Sequence, residues 1–490
     1  MLGALLLLPT AAGLVAFVLR STRARRTLLV LTAVGHFALT AAVAWRPPAP
    51  LLGGALALDA AGLLFLGITS ALFLAASLYA VGYLQREQSG RRQDFEEGFL
   101  FSNAPEATFV GCLLLFLATM TFVTVVQHFG LLWVAIEATT LASAPLIYFH
   151  RHHRSLEATW KYLLICSVGI GLALLGSFFL AVAATTPAGD STPLVLADLV
   201  AGASRLQTPW LKASFLLLLV GYGTKVGLAP LHTWLPDAHS ESPSVVSALL
   251  SGALLNCAFL GILRALQVCA AAGLGEFGRE LLTVFGVASM AAAAVFLLGQ
   301  ADYKRLLAYS SVEHMGIVAL GIGVGGTAGF GALLHAVGHS LTKAMLFLVA
   351  GNILACYRTK STDEVRGVLS AAPVSGVLWL LGLFAITGSP PFAPFLSEFT
   401  ILRGALAEGR GVVAALYLVL LGTIFVGMAS VMLRMAQGAA PQAGPPRREA
   451  WLAIVPPMLL AAAVLVLGVW IPAPLDSVLR GAARAITGAP

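Results

Sequence analysis

Long apolar runs separated by short polar connections repeat along almost the whole chain. They lie near 1–19, 27–45, 56–84, 106–126, 128–149, 158–184, 209–231, 243–265, 279–299, 303–324, 326–355, 373–403, 411–434 and 451–472. A helix needs about 20 apolar residues to cross a bilayer, so the pattern predicts an all-α polytopic membrane protein of about 14 transmembrane helices. The longest polar connections, about 185–208 and 437–450, are too short for a separate soluble domain, so a single membrane domain over 1–490 is expected. The first run has no basic segment before it, and its arginines, Arg20 to Arg26, follow it. It reads as the first helix rather than a cleaved signal peptide.

Two of the runs are interrupted. In 221–248, Lys225 sits within apolar sequence and Pro230 and Pro236 break the helix after it. In 373–403, Pro390, Pro391 and Pro394 precede Glu398. These are the seventh and twelfth predicted helices. Their odd separation makes equivalent helices point in opposite directions, as in an inverted repeat of helices 4–8 (106–265) and 9–13 (279–434). Helices 1–3 (1–105) and a C-terminal helix and tail (451–490) flank the repeats. Interrupted helices at corresponding positions of two repeats mark a transport path. Prolines can also merely kink a membrane helix for packing, but an ionisable residue beside each break favours the path.

Composition narrows the class further. With 59% hydrophobic and 10% charged residues, a soluble domain is excluded. The net charge of +7 comes from short loops and not from a continuous basic face, so it speaks for membrane orientation and against nucleic acid. The odd-numbered connections are the richer in Arg and Lys, which predicts both termini on the non-cytoplasmic side of a cell inner membrane. Cys112, Cys166, Cys257, Cys269 and Cys356 form no CxxC pair, so neither a disulfide framework nor an iron–sulfur or zinc site is expected. No cofactor is implied.

The chemistry lies in ionisable groups within the spans. A lysine at the bilayer centre costs about 2.5–3.5 kcal/mol on insertion scales, so Lys225 must face a partner or water. Glu137, isolated by apolar sequence, is the natural counter-charge, and a movable Glu137–Lys225 pair gates a proton. His335, His339 and Lys343 recur every four residues and share one helix face, each about 6 Å further along the axis. That ladder reads as a proton relay. A metal is disfavoured, because one helix supplies only two histidines and Lys343 repels a cation. Weaker candidates are Asp59, Glu313 with His314, and the group His232, Asp237, His239 and Glu241 after the first break. That group either lines a water-filled access route or ties the loop to its neighbours.

These stretches resemble a known family. Residues 137–140, 225–243 and 335–344 and the proline-rich segment before Glu398 are similar to the antiporter-like proton-pumping subunits. Respiratory complex I, multisubunit cation/proton antiporters and membrane-bound hydrogenases share such subunits. The resemblance covers helices 4–13. Within the group, 247–258 looks most like the F component of hydrogenase four and formate hydrogenlyase. By resemblance, Glu137 and Lys225 belong to a first half-channel, His335, His339 and Lys343 to a central relay, and Glu398 to the end of the second. Asn256 departs from the pattern, standing where several relatives have a lysine on helix 8; an asparagine can hold a water but cannot carry the proton.

The expected function is a proton-translocating subunit of a multisubunit redox complex, of the hydrogenase-four or NADH dehydrogenase type, with no redox centre of its own. Its expected partners are other membrane subunits, a peripheral redox module and the lipid bilayer. The rival readings are a sodium/proton antiporter subunit and a membrane scaffold anchoring a soluble oxidoreductase.

Overall fold

The computed structural model describes residues 1–87, 90–94, 98–185, 189–438 and 449–487. Parts of both long connections, 186–188 and 439–448, lie outside the described residues. Helices dominate: α1 Leu2–Val18, α2 Thr22–Trp45, α3 Ala60–Arg86, α4 Glu106–Val125, α5 Phe129–Ile147, α6 His153–Ala183 and the short α7 Leu196–Ala201. The first interrupted span follows as α8 Thr208–Val226 and α9 Leu235–Glu241. Next, α10 Ser244–Leu249 and α11 Leu255–Ala271 are joined through a π-helical turn at Leu250–Leu254 into one 28-residue span. Then come α12 Gly275–Leu297, α13 Tyr303–Val324, α14 Gly326–Tyr357 and the short α15 Val368–Ala371. The second interrupted span is α16 Pro373–Ile386 and α17 Ala393–Ala407, followed by α18 Gly411–Ala436, α19 Trp451–Val469 and α20 Ala473–Thr487. A small antiparallel hairpin, β1 Arg91–Gln93 with β2 Leu100–Ser102, pairs Arg92 with Phe101 between α3 and α4.

Eleven of the described helical spans are long and apolar enough to cross a membrane, and α1 and α16 are shorter apolar helices. This is the polytopic architecture that the apolar runs predict. The tail expected after the last run is itself a helix, α20, which lays Leu479, Ala482 and Ile486 inward and packs on α3, α14 and α11.

Side chains set the ends of several spans. Asp59 caps α3 by accepting from Gly62 N at 3.0 Å, and Asp302 caps α13 by accepting from Lys304 N at 2.7 Å and Arg305 N at 3.1 Å. The α8 helix stops at Gly227, whose φ of 81° suits a residue without a Cβ. The backbone freed by that stop is satisfied locally. Trp234 Nε1 donates to Thr224 O at 2.8 Å, Leu228 N to Gly223 O at 2.9 Å, and Ser289 Oγ accepts from Ala229 N at 2.9 Å.

The interior is built by α10–α11, α13, α4, α3 and α14, while most residues of α2, α6 and α18 are not buried. Glycine lets two helix pairs approach at backbone distance. A Cβ at Gly221 of α8 would lie 2.6 Å from Gly169 O of α6, and one at Gly286 of α12 would lie 2.7 Å from Gly316 O of α13. The first of these contacts brings Lys225, one turn beyond Gly221, against α6.

Candidate ion path

Lys225, in the last turn of α8, is fully buried. Its ammonium donates to Thr140 Oγ1 of α5 at 2.9 Å and to the Tyr162 hydroxyl of α6, and lies 4.3 Å from the centre of the Tyr162 ring. Ser143 and Tyr162 share a 2.7 Å bond behind it. Glu137 is only half-buried, and it meets Lys225 through an intermediary. Thr140 accepts from the ammonium and donates to Glu137 Oε2 at 3.2 Å, while Ser167 donates to Oε1 at 3.4 Å. The direct ion pair expected from the sequence is thus replaced by a relayed one, because Thr140, one helical turn beyond Glu137, stands between the two charges.

The candidates after the break divide. Asp237 accepts from Lys161 Nζ at 2.9 Å and pairs with Arg305, and Glu241 accepts from Lys360 Nζ at 2.6 Å. Lys304 Nζ donates to Ser240 O at 2.7 Å and Ser242 O at 2.6 Å, and Ser240 Oγ donates to Asp302 at 2.7 Å. These bonds tie α9 to α6, α13 and the 358–362 connection. His239 is different: its Nδ1 donates to Leu235 O at 2.7 Å, and its ring lies among Trp234 and Phe347, fully buried. His232 packs against Phe296 and Tyr309.

At the centre, Asn256 donates to Gly252 O of the π turn at 2.9 Å and to Ser340 Oγ of α14 at 2.7 Å. It therefore touches the histidine-bearing helix one residue beyond His339. Lys343 does not point along the ladder. Its ammonium donates across to α13, to Leu307 O at 2.6 Å and Ser310 Oγ at 2.8 Å.

The histidines are joined by a residue from α13. His314 and His335 are bonded Nδ1 to Nε2 at 2.8 Å, and the ring centre of His314 is 5.0 Å from those of both His335 and His339, which are 6.5 Å from each other. The hydrogen bonds fix the order of donors. Ser397 Oγ gives its proton to Pro394 O at 2.8 Å, so at 2.9 Å it accepts from His335 Nδ1. A neutral His335 then accepts at Nε2 from His314 Nδ1, which leaves His314 Nε2 as a bare acceptor 3.9 Å from Glu313 Oε2. Glu398 is buried on α17 with its carboxylate against Gly388 of the second break. One ligand atom from each of His314, His335 and Glu398 lies within 4.8 Å of the other two. Several buried polar atoms here have no protein partner: His314 Nε2, both His339 nitrogens, Glu313 Oε2, Glu398 Oε1 and the Tyr417 hydroxyl of α18.

Sequence reasoning singled out the charged members and missed the hydroxyls of Thr140, Tyr162, Ser397 and Tyr417. It held His314 only as a companion of Glu313. The one signal that could have raised His314 is the one that raised Glu137, a titratable residue within an apolar span.

A bundle of apolar helices, two of them broken beside buried lysine and glutamate, is an antiporter-like membrane subunit. Residues 127–425 match the family described as NADH:quinone oxidoreductase/Mrp antiporter, TM, and the chain belongs to that family. It is 39% identical over 351 residues, 71% of this chain and 72% of the relative, to a hydrogenase-4 component F homolog of Methylacidiphilum infernorum. It is 28% identical over 461 residues, 88% of this chain, to a Na(+)/H(+) antiporter subunit A1 of Staphylococcus haemolyticus, of which it spans 54%. The fold is that of a chain in the membrane-bound sulfane sulfur reductase, an archaeal respiratory membrane complex: TM-score 0.87, 20% identity, covering 99% of this chain and 97% of the other. The family resemblance drawn from residues 137–140, 225–243 and 335–344 is borne out.

Proposed function

We propose that the chain translocates protons as one membrane subunit of a multisubunit redox complex in a cell inner membrane, beside other membrane subunits and a peripheral redox module. The path runs from Glu137 through Thr140 to Lys225, across the centre by His339 and Lys343 with Asn256 only in support, and on through His314 and His335 to Glu398. Asp237, Glu241 and His232 support the first break, and Glu313 supports the histidines. Helices 4–8 and 9–13 are taken as inverted repeats over 106–265 and 279–434, with 1–105 and 451–490 flanking them and both termini non-cytoplasmic. The chain holds no redox centre of its own in this reading and responds to electron transfer elsewhere in the complex.

The observation that carries the reading is the chain of titratable groups, all buried but the half-buried Glu137, reaching from α5 to α17 through α8 and α14. A scaffold gains nothing from lysines and histidines at this depth, where each costs free energy to bury. A specific likeness favours a second reading, sodium/proton exchange, because one relative is a Na(+)/H(+) antiporter subunit. Proton uptake by vesicles carrying the purified complex, driven by its electron donor, tests both. Uptake independent of sodium and lost in Glu137→Gln and in Lys225→Met supports proton pumping. Uptake that requires sodium supports exchange, and normal uptake in both variants would sink the path.

A further inference from the structure

One helix of the ladder offers a metal only two histidines, too few for a site. Folding changes that count, because α13 adds His314 and α17 adds Glu398, and the three ligand atoms gather within 4.8 Å of one another. We propose that His314, His335 and Glu398 form a binding site for a divalent transition-metal cation of the zinc type, whose occupancy blocks the central relay. The binding itself stands independently of the proton-pumping reading, and only the block rests on it.

The donor set fits the class of ion. Two imidazoles and a carboxylate suit zinc or cobalt, whereas magnesium and calcium prefer oxygen alone. The histidines are held as metal ligands are usually held. His335 Nδ1 donates to Ser397 Oγ at 2.9 Å, which orients the ring and leaves Nε2 facing His314. Glu398 Oε1 is buried with no protein partner, so no existing bond has to break for it to bind. The facing nitrogens are 2.8 Å apart. Tetrahedral ligation at about 2.0–2.1 Å needs ligands about 3.4 Å apart, so the rings must part by roughly half an ångström. His314 moves its proton from Nδ1 to Nε2, towards Glu313, and a protonated Glu398 releases its proton as it binds. Lys343 lies about 12 Å further along α14 than His335, but its ammonium is bonded to Ser310, one helical turn from His314, and the carboxylates of Glu398 and Glu313 offset its repulsion of the ion.

The test uses the purified, chelator-washed complex titrated with zinc chloride alone. Bound zinc is counted by elemental analysis, and its shell is read by X-ray absorption. The expected result is one zinc per chain beyond the metal of the washed complex, in a nitrogen and oxygen shell with two imidazoles. That zinc is lost in His314→Gln, His335→Gln and Glu398→Gln and retained in Lys225→Met, which controls for assembly. Ser397→Ala, acting only through His335, should weaken zinc binding by about 10- to 100-fold. No added zinc in the wild type, a sulfur-containing shell, or zinc retained in assembled His314→Gln and His335→Gln complexes would overturn the site. Zinc that binds as described without slowing proton uptake would overturn the block alone.

Discussion

At the scale of single residues, the economy of the site lies in hydroxyl groups that let one charge feel another. Lys225 is kept in the membrane by two hydroxyl acceptors and an aromatic face, and Thr140 connects it to Glu137. A hydrogen bond to a charged group is worth about 1.5–3 kcal/mol, or roughly ten- to a hundredfold in an equilibrium. Thr140→Val keeps the shape and removes the oxygen, so proton uptake should fall by about that factor while the complex still assembles; Thr140→Ser should restore it. Uptake at wild-type rates in Thr140→Val would mean that Glu137 and Lys225 communicate by another route. At the centre, Lys343→Ala should abolish coupled uptake, because the nearest histidine stands about 6 Å away along the helix. Asn256→Ala should do much less, since Asn256 only bridges Gly252 O and Ser340. The reverse outcome, measured with electron-transfer rate alongside, would move the path from α14 to α11.

At the scale of elements, the breaks are where chain conformation and chemistry meet. Gly388 ends α16 with a φ of 64°, and a Cβ there would sit 1.9 Å from Glu398 Oε2. Gly388→Ala should therefore displace the carboxylate and abolish translocation. Gly409→Ala is the matched control: its φ is 70° but nothing lies within 4 Å of the added Cβ, so it carries backbone strain without touching the path. Equal uptake in the two variants would remove Glu398 from the path. The breaks were legible in sequence because proline and glycine act on their own backbone, and the charged members because they stand out in apolar runs. The hydroxyl partners were not, since threonine, serine and tyrosine are unremarkable in a membrane helix until the opposing helix is known. Nor was the bridging of His335 and His339 by His314, which depends on the packing of α13 on α14. The half-burial of Glu137 escaped for the same reason, because which face of α5 is covered is decided by α6 and α8.

At the scale of the whole molecule, the first break meets α13 and the segment after α14 in a charged cluster on the side predicted to be cytoplasmic. Ser240, Glu241 and Ser242 belong to the first break, whereas Asp302 and Lys304 begin α13 and Lys360 follows α14. A rearrangement around the histidines that moves α13 or the end of α14 therefore pulls directly on α9 and, through the break, on the surroundings of Lys225. The Lys360–Glu241 bond is the link to cut, being 2.6 Å long with both side chains at 10% exposure or less. Removing one partner of a buried pair typically costs about 3–5 kcal/mol because the other is left charged and unpaired. Lys360→Met should fall at the low end of that range, since Glu241 keeps His152 at 3.9 Å. Glu241→Gln in the same chain removes the stranded charge and should recover most of the stability, a coupling that a double-mutant cycle on thermal unfolding of the purified complex would measure. If the cluster only staples the loop, the stabilised double variant should also pump normally. If it carries the coupling, the double variant should unfold like the wild type, transfer electrons at the wild-type rate and still take up fewer protons per turnover.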